Sequence, residues 1–142
     1  MTTKQFCTFY LGDRYFGIDV LNVQEVIRYQ IMTKVPLAPP VVEGLINLRG
    51  QIVTALDMRR RLGLDKRSDG ELPTNIIVRT ESDGAISLLV DEIGEVIEVS
   101  DDDFEAPPDT LTGSARQIVV GTYKLAEKLM LVLDTERAVA LE

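Results

Sequence analysis

Residues 41–64 read VVEGLINLRGQIVTALDMRRRLGL, and this stretch decides the fold. Two apolar runs, 41–48 and 51–56, flank the pair Arg49-Gly50, as two strands flank a tight turn. Asp57 then stands at an N-cap position and Gly63 stops the short run Met58-Arg-Arg-Arg-Leu62, a compact helix signature. The unit is strand, turn, strand and one helical turn.

The unit recurs. Laying 41–64 over 118–141 pairs Val42 with Val119, Gly44 with Gly121, Leu48 with Leu125, Leu56 with Leu133, Asp57 with Asp134, Arg60 with Arg137 and Leu64 with Leu141. Upstream the offset falls from 77 to 70: Asp13 matches Asp83, Val20 matches Val90, Glu25-Val26-Ile27 matches Glu95-Val96-Ile97, and Val23 falls opposite Ile93. The second copy therefore carries seven extra residues, placed in a loop over 105–115. Such self-similarity marks a duplicated structural unit.

Working outward, 6–11 and 15–18 read as strands around the turn pair Gly12-Asp13. Runs 75–80 and 85–90 flank Ser82-Asp83-Gly84, and 117–122 and 128–133 form a third such pair. Many six-residue strands between turn signals predict small barrels. Val20, Val23, Val26 and Ile27 are spaced by three and four, which predicts a helix over 19–28 whose last residues can enter a strand. The run 134–141 repeats the capped-helix design, and 65–73, rich in Asp, Ser, Gly and Pro, is the best linker. We expect two homologous subdomains, about 13–64 and 74–135, within one domain spanning 1–142, with terminal segments able to exchange between them. Barrels of about 60 residues are each marginal alone, so one core shared between them should stabilise both. The seam is then a natural groove, across which Val23 and Ile93 could face each other.

The chain has 142 residues, 23 acidic and 15 basic, a net charge of -8, no His, no Trp and one Cys. Without imidazole there is no Ser/His/Asp or Cys/His nucleophile, no His proton shuttle and no His-ligated zinc or haem. Cys7, in an apolar run with no base partner, reads as core filling, and its solitude points to a reducing compartment. The acidic surface repels phosphate backbones, so no nucleic-acid partner is expected. Arg59, Arg60 and Arg61 form the only basic run and read as the solvated face of a short helix. No window approaches the roughly 18 apolar residues of a membrane span, and a cytoplasmic location without membrane insertion is expected.

The run Val23-Gln-Glu-Val-Ile-Arg28, then Val35-Pro36 and Ala38-Pro39, then Val42 to Val53 with its GLINLRGQIV block, and Leu56-Asp57 closely resembles the CheW family of bacterial chemotaxis coupling proteins. Weaker similarity covers nearly the whole chain, including Leu89-Val90-Asp91 and Leu133-Asp134. The resemblance implies a non-enzymatic adaptor built from two five-stranded Src-homology-3-like barrels. It also implies two partners, the cytoplasmic hairpin tip of chemoreceptors and the regulatory domain of a CheA-type histidine kinase, with recruitment to receptor arrays. No cofactor or metal is implied.

Carried over residue by residue, the receptor groove of the family maps onto Val20, Val23, Val26 and Ile93. Spacing alone would make these plain core. Glu25 and Arg49 correspond to an interacting acid and arginine that matter for coupling, because an Arg in an apolar block needs a carboxylate partner. Kinase docking is implied for the proline-bearing loop 32–40, with Lys34 and the nearby Gly44, and for 104–111, with Glu105 and Asp109. Relatives carry a basic residue where this chain has Glu105. Gly44 recurs as Gly121, so a backbone requirement explains it equally well.

Two alternatives remain at this point. An enzyme would use Asp57, Asp91 and Asp134, or the cluster Asp101-Asp102-Asp103-Phe104-Glu105, as acid/base groups or metal ligands. Asp57 and Asp134 sit where helix caps belong, and the cluster fails as a calcium loop because Ala106 and Thr112 occupy the sixth and twelfth positions. The second alternative is the same adaptor in a pilus-motility or other non-flagellar chemosensory pathway.

Overall fold

The computed structural model describes residues 2–68, 70–81 and 84–140. Along the chain run β1 Thr3–Leu11, β2 Arg14–Asp19, β3 Val23–Ile27, β4 Val42–Leu48, β5 Gln51–Asp57, β6 Thr74–Thr80, β7 Gly84–Val90, β8 Glu92–Ser100, β9 Val119–Lys124 and β10 Leu129–Leu133. Short helices α1 Met58–Arg61, α2 Gly113–Ile118 and α3 Thr135–Val139 join 3-10 turns at Val20–Asn22 and Asp101–Asp103.

The strands form two five-stranded sheets, ordered β8-β1-β2-β10-β9 and β3-β6-β7-β5-β4. Exchanging β1 for β6, β2 for β7, β8 for β3, β10 for β5 and β9 for β4 turns one order into the other. In each sheet a single parallel pairing joins the hairpins, β10 with β2 and β5 with β7. The duplication is thus structural, and it is interlocked. The β1–β2 hairpin stands beside β8, β9 and β10, whereas β6–β7 stands beside β3, β4 and β5. The sheets consequently do not divide the chain at 65–73: one takes residues 3–19 and 92–133, the other 23–57 and 74–90. The crossings are short, Val20–Asn22 in one direction and Asp91 in the other.

Each sheet curls so that its two ends meet. After β3, Thr33 exchanges both backbone hydrogen bonds with Leu45 of β4 (2.9 and 2.8 Å), and after β8, Glu105 does the same with Thr122 of β9 (2.9 and 2.9 Å). The bridging segment runs over Gly44 in one barrel and Gly121 in the other. A Cβ at Gly44 would lie 2.9 Å from both Met32 Cβ and the Thr33 carbonyl oxygen, and one at Gly121 would overlap the Phe104 ring. This close approach is why the glycine recurs with the repeat.

The central core draws on both sheets: Phe9, Phe16, Ile18 and Leu131 from one, Leu56, Ile76, Val78 and Leu88 from the other, closed by Met58 and Leu62 of the α1 region and Ala138 and Val139 of α3. Each barrel also has a smaller cluster of its own, Phe6, Tyr15, Tyr123, Met130 and Val132 in the first and Ile46, Leu48, Val53, Ile77 and Ala85 in the second. Asp57 caps α1 by accepting the Arg59 N–H (3.1 Å), and Asp134 caps α3 by accepting the Arg137 N–H (3.0 Å).

Two expectations from the sequence resolve differently in the structure. The expected helix over 19–28 is only a 3-10 turn, Val20–Asn22, and then strand β3. Its spacing of three arises because Gln24 is the extra residue of a β-bulge: Val23 pairs with Val78 and Glu25 with the next residue back, Ile77. Strand β8 escapes alternation for the same reason, since Ile93 pairs with Phe9 and Val96 with Cys7. Residues 117–118 belong to α2, not to a strand. The Ser82-Asp83 turn, the Asp13–Asp83 match and the Leu64–Leu141 match fall on positions outside the described residues.

Candidate docking surfaces

Residues paired directly across strands share a face of the sheet. Val23 and Val26 of β3 pair with Val78 and Ile76, and Ile93 of β8 pairs with Phe9, all three partners being members of the central core. Both edge strands therefore turn these side chains toward the seam. Val20 and Val23 are half-buried and pack against the core, while Val26 (41%) and Ile93 (36%) are exposed. The strand equivalence also puts Val23 and Ile93 in corresponding positions, each at the start of an edge strand and opposite the equivalent residues Val78 and Phe9. One residue joins this rim that the sequence did not single out. Val96 pairs with Cys7 of the central core and is 56% exposed; the repeat, which sets it against Val26, was the signal available.

Glu25 and Arg49 are ion-paired. Arg49 does not lie within a strand. It occupies the β4–β5 turn with φ 51°, followed by Gly50 at φ 89°, the two positive values of a primed hairpin turn. The Asn47 side chain accepts the Gly50 N–H (2.8 Å) and completes that turn. The pair links β3, one end of its sheet, to the tip of the hairpin at the other end. Its arginine side chain is 66% exposed and the glutamate 27%. Hydrogen bonds from the Arg49 guanidinium and then the Gln24 amide hold the Glu25 carboxyl below the usual range, and Glu25 in turn raises Arg49.

The proposed kinase-side residues fall in equivalent places on the two barrels. Lys34 and Gly44 flank the Thr33–Leu45 bridge; Glu105 is itself in the second bridge and pairs with Lys124 (3.5 Å), with Asp109 in the exposed turn beyond it.

The arginine run is not a uniformly solvated face. Arg61 donates to the carbonyl oxygens of Ala138 (2.9 Å), Arg137 (2.9 Å) and Ala140 (3.1 Å) at the end of α3. Arg59 grips Asp91 through Nε (3.0 Å to each oxygen) and Nη2, and Arg67 reaches Asp91 (2.9 Å) and Asp57 (3.5 Å). Asp91 further accepts the Gly12 N–H (2.6 Å). Burial works to raise its pKa, but Arg59, Gly12 and Arg67 together hold it below the usual carboxylate range. The three aspartates weighed as acid/base groups thus act as two helix caps and an ion-network anchor. Among the described residues no group of three or more His, Cys, Asp or Glu side chains is placed to hold a metal ion, and no helix is long and apolar enough to cross a membrane.

Comparison with known proteins completes the picture. The chain is 30% identical over 136 residues to the chemotaxis protein CheW of Treponema pallidum, covering 94% of this chain and 80% of that one. It is 28% identical over 139 residues to CheW of Klebsiella aerogenes, covering 98% and 83%. The crystal structure of the scaffolding protein TtCheW from Thermoanaerobacter tengcongensis superposes with a TM-score of 0.84 at 32% identity, covering 94% of this chain and 90% of that one. The CheW-like domain family matches residues 5–142, and the chain belongs to it.

Proposed function

We propose that this protein is a non-enzymatic scaffold that couples the cytoplasmic hairpin tips of chemoreceptors to the regulatory domain of a CheA-type histidine kinase. The observation that carries the receptor half of this reading is the rim of Val26, Ile93 and Val96, three branched apolar side chains left exposed where two equivalent edge strands border one core. A helical hairpin laid along such a rim gains by burying apolar area, less the cost of ordering. Val20 and Val23 supply the floor.

The kinase contacts are assigned to the two bridging segments, through Lys34 and Gly44 on one barrel and Glu105 and Asp109 on the other. Because the two barrels repeat one design, two kinase domains of similar design can flank the chain on opposite sides. Glu25 and Arg49 join the receptor rim to the β4–β5 hairpin and act in coupling.

The test is reconstitution of receptor-bearing membranes, kinase and ATP with this chain. Val23→Asp abolishes receptor pull-down and leaves kinase binding measurable. Because Val23 also packs on the core, Val26→Asp is the companion variant: it keeps the native melting temperature and weakens receptor binding at least tenfold, as expected for a charge in the centre of an apolar contact. Unchanged receptor pull-down by Val26→Asp removes the assignment. Glu25→Ala and Arg49→Ala lose little stability, since the arginine end of the pair is largely exposed, yet lower receptor control of the kinase.

A further inference from the structure

The first barrel is open at one end. A cavity of about 450 Å³ is lined there by the aromatic rings of Phe6, Phe104 and Tyr123, with Val120 and Val132 beside them. The rings meet at angles, Phe6 and Tyr123 at 5.6 Å and 53°, Phe104 and Tyr123 at 5.3 Å and 60°. Four carboxylates, Asp19, Asp101, Asp134 and Glu136, line the same cavity against one lysine, Lys4. Asp19, Asp134 and Glu136 each already accept a backbone N–H, of Leu21 (2.9 Å), Arg137 (3.0 Å) and Glu81 (3.0 Å).

Two observations go beyond a cluster of acids. Tyr123 is 2% exposed, yet no described residue hydrogen-bonds its hydroxyl. Burial and the charges of Asp101 and Asp103 raise its pKa, so the phenol stays protonated and its oxygen remains available as an acceptor. The fold also does not require this lining. At equivalent positions the second barrel has Ile46 for Tyr123, Met32 for Phe104, Asn75 for Phe6 and Leu89 for Asp19.

We propose that this end of the first barrel binds an organic cation, an alkylguanidinium or alkylammonium group. Tilted aromatic faces attract such a cation, the carboxylates neutralise it, and the Tyr123 oxygen accepts one N–H. The volume falls in the range of small-ligand pockets. The cavity borders the receptor floor at Asp19 and Asn22, on either side of Val20, and takes in none of Val26, Ile93 and Val96.

The experiment is a low-salt 1H–13C NMR titration of the full chain with agmatine, with butylurea as a neutral analogue and an acetylated, amidated Gly-Arg-Gly peptide. Agmatine gives saturable shifts at the Phe6, Phe104 and Tyr123 rings and the Val120 and Val132 methyls, and butylurea gives none. Tyr123→Phe, which keeps the ring packing, and Asp101→Asn each weaken agmatine by roughly three- to tenfold; Lys4→Gln tightens it. Binding of the peptide but not agmatine also supports the site and identifies a polypeptide side chain as the source of the cation. Equal shifts from agmatine and butylurea, or none from agmatine and the peptide, overturn the proposal.

Discussion

Position for position, the first barrel holds Tyr15, Tyr123 and Met130 where the second holds Ala85, Ile46 and Val53. The second also buries a polar pair, Ser87 donating to Asn75 (2.6 Å), which in turn donates to the Arg28 carbonyl oxygen (3.0 Å). What the two retain is different in kind: an edge-strand bulge at Gln24 in one and within β8 in the other, a glycine under the bridging segment, and an aspartate cap after the second hairpin. Backbone devices fix the topology, while interior filling drifts: the second barrel holds the smaller side chain at all three positions and a hydrogen-bonded polar pair besides. The barrels differ where they are filled separately and are joined where they share a core.

That contrast is most easily broken at the shared core. Phe9 is fully buried between the sheets, so Phe9→Ala costs about 3–5 kcal/mol, a large share of the stability of a domain this size. Both sheets should still unfold in one transition, because neither has a complete core without the other. Hydrogen exchange that follows β1–β2 and β6–β7 amides through denaturant checks this; separate midpoints for the two hairpins would show that the barrels are independent after all.

Next in size is the asymmetry of the crossings. Asp91, at the return crossing, ties together the β1–β2 turn at Gly12, the α1 region through Arg59, and Arg67 in the linker. Its repeat equivalent, at an offset of 70, is Leu21, which is 88% exposed and ties nothing. Asp91→Asn leaves Arg59 and Arg67 short of a carboxylate in a poorly solvated place and costs about 3 kcal/mol. Because the folded-state pKa of Asp91 lies below its unfolded value of about 3.9, the stabilisation is present above that pH and is lost as the pH falls below it. Urea melts of the parent and Asp91→Asn chains at neutral and acid pH should converge on acidification.

The sequence made the duplication legible through residues whose roles are local. Asp57, Asp134, Gly44 and Gly121 each answer a backbone demand that recurs wherever the backbone does. It hid β3 and β8 because a single bulge residue shifts the side-chain phase, so that Val20, Val23 and Val26 imitate a helix and Ile93, Val96 and Glu98 follow no simple period. That terminal segments could exchange was expected from the sequence, but which hairpin crosses was not, since nothing in a hairpin states which sheet it joins. Of the proposed site, the paired glutamate and arginine and the four apolar positions could be named from resemblance. The Arg59–Asp91–Arg67 network and the aromatic cavity could not, because their members lie far apart in the chain and meet only when the barrels close.

The subtlest difference lies in what the two equivalent glycines face. At Gly44 a new Cβ would press on the Met32 Cβ and the Thr33 carbonyl oxygen, and Thr33 is held by two hydrogen bonds to Leu45, so backbone must move. At Gly121 the obstacle is the Phe104 ring, which is 44% exposed and can swing toward solvent. Gly44→Ala therefore costs about 2 kcal/mol and Gly121→Ala about 1 kcal/mol, although the overlap at Gly121 is the more severe of the two. Urea melts rank the pair, and the Phe104 ring resonances report the mechanism, shifting in Gly121→Ala and remaining in place in Gly44→Ala. A reversed ranking would mean that Phe104 is fixed more firmly than its exposure indicates. With the expected ranking, any coupling defect of Gly44→Ala must be compared at matched folded fraction, since part of it belongs to the barrel itself.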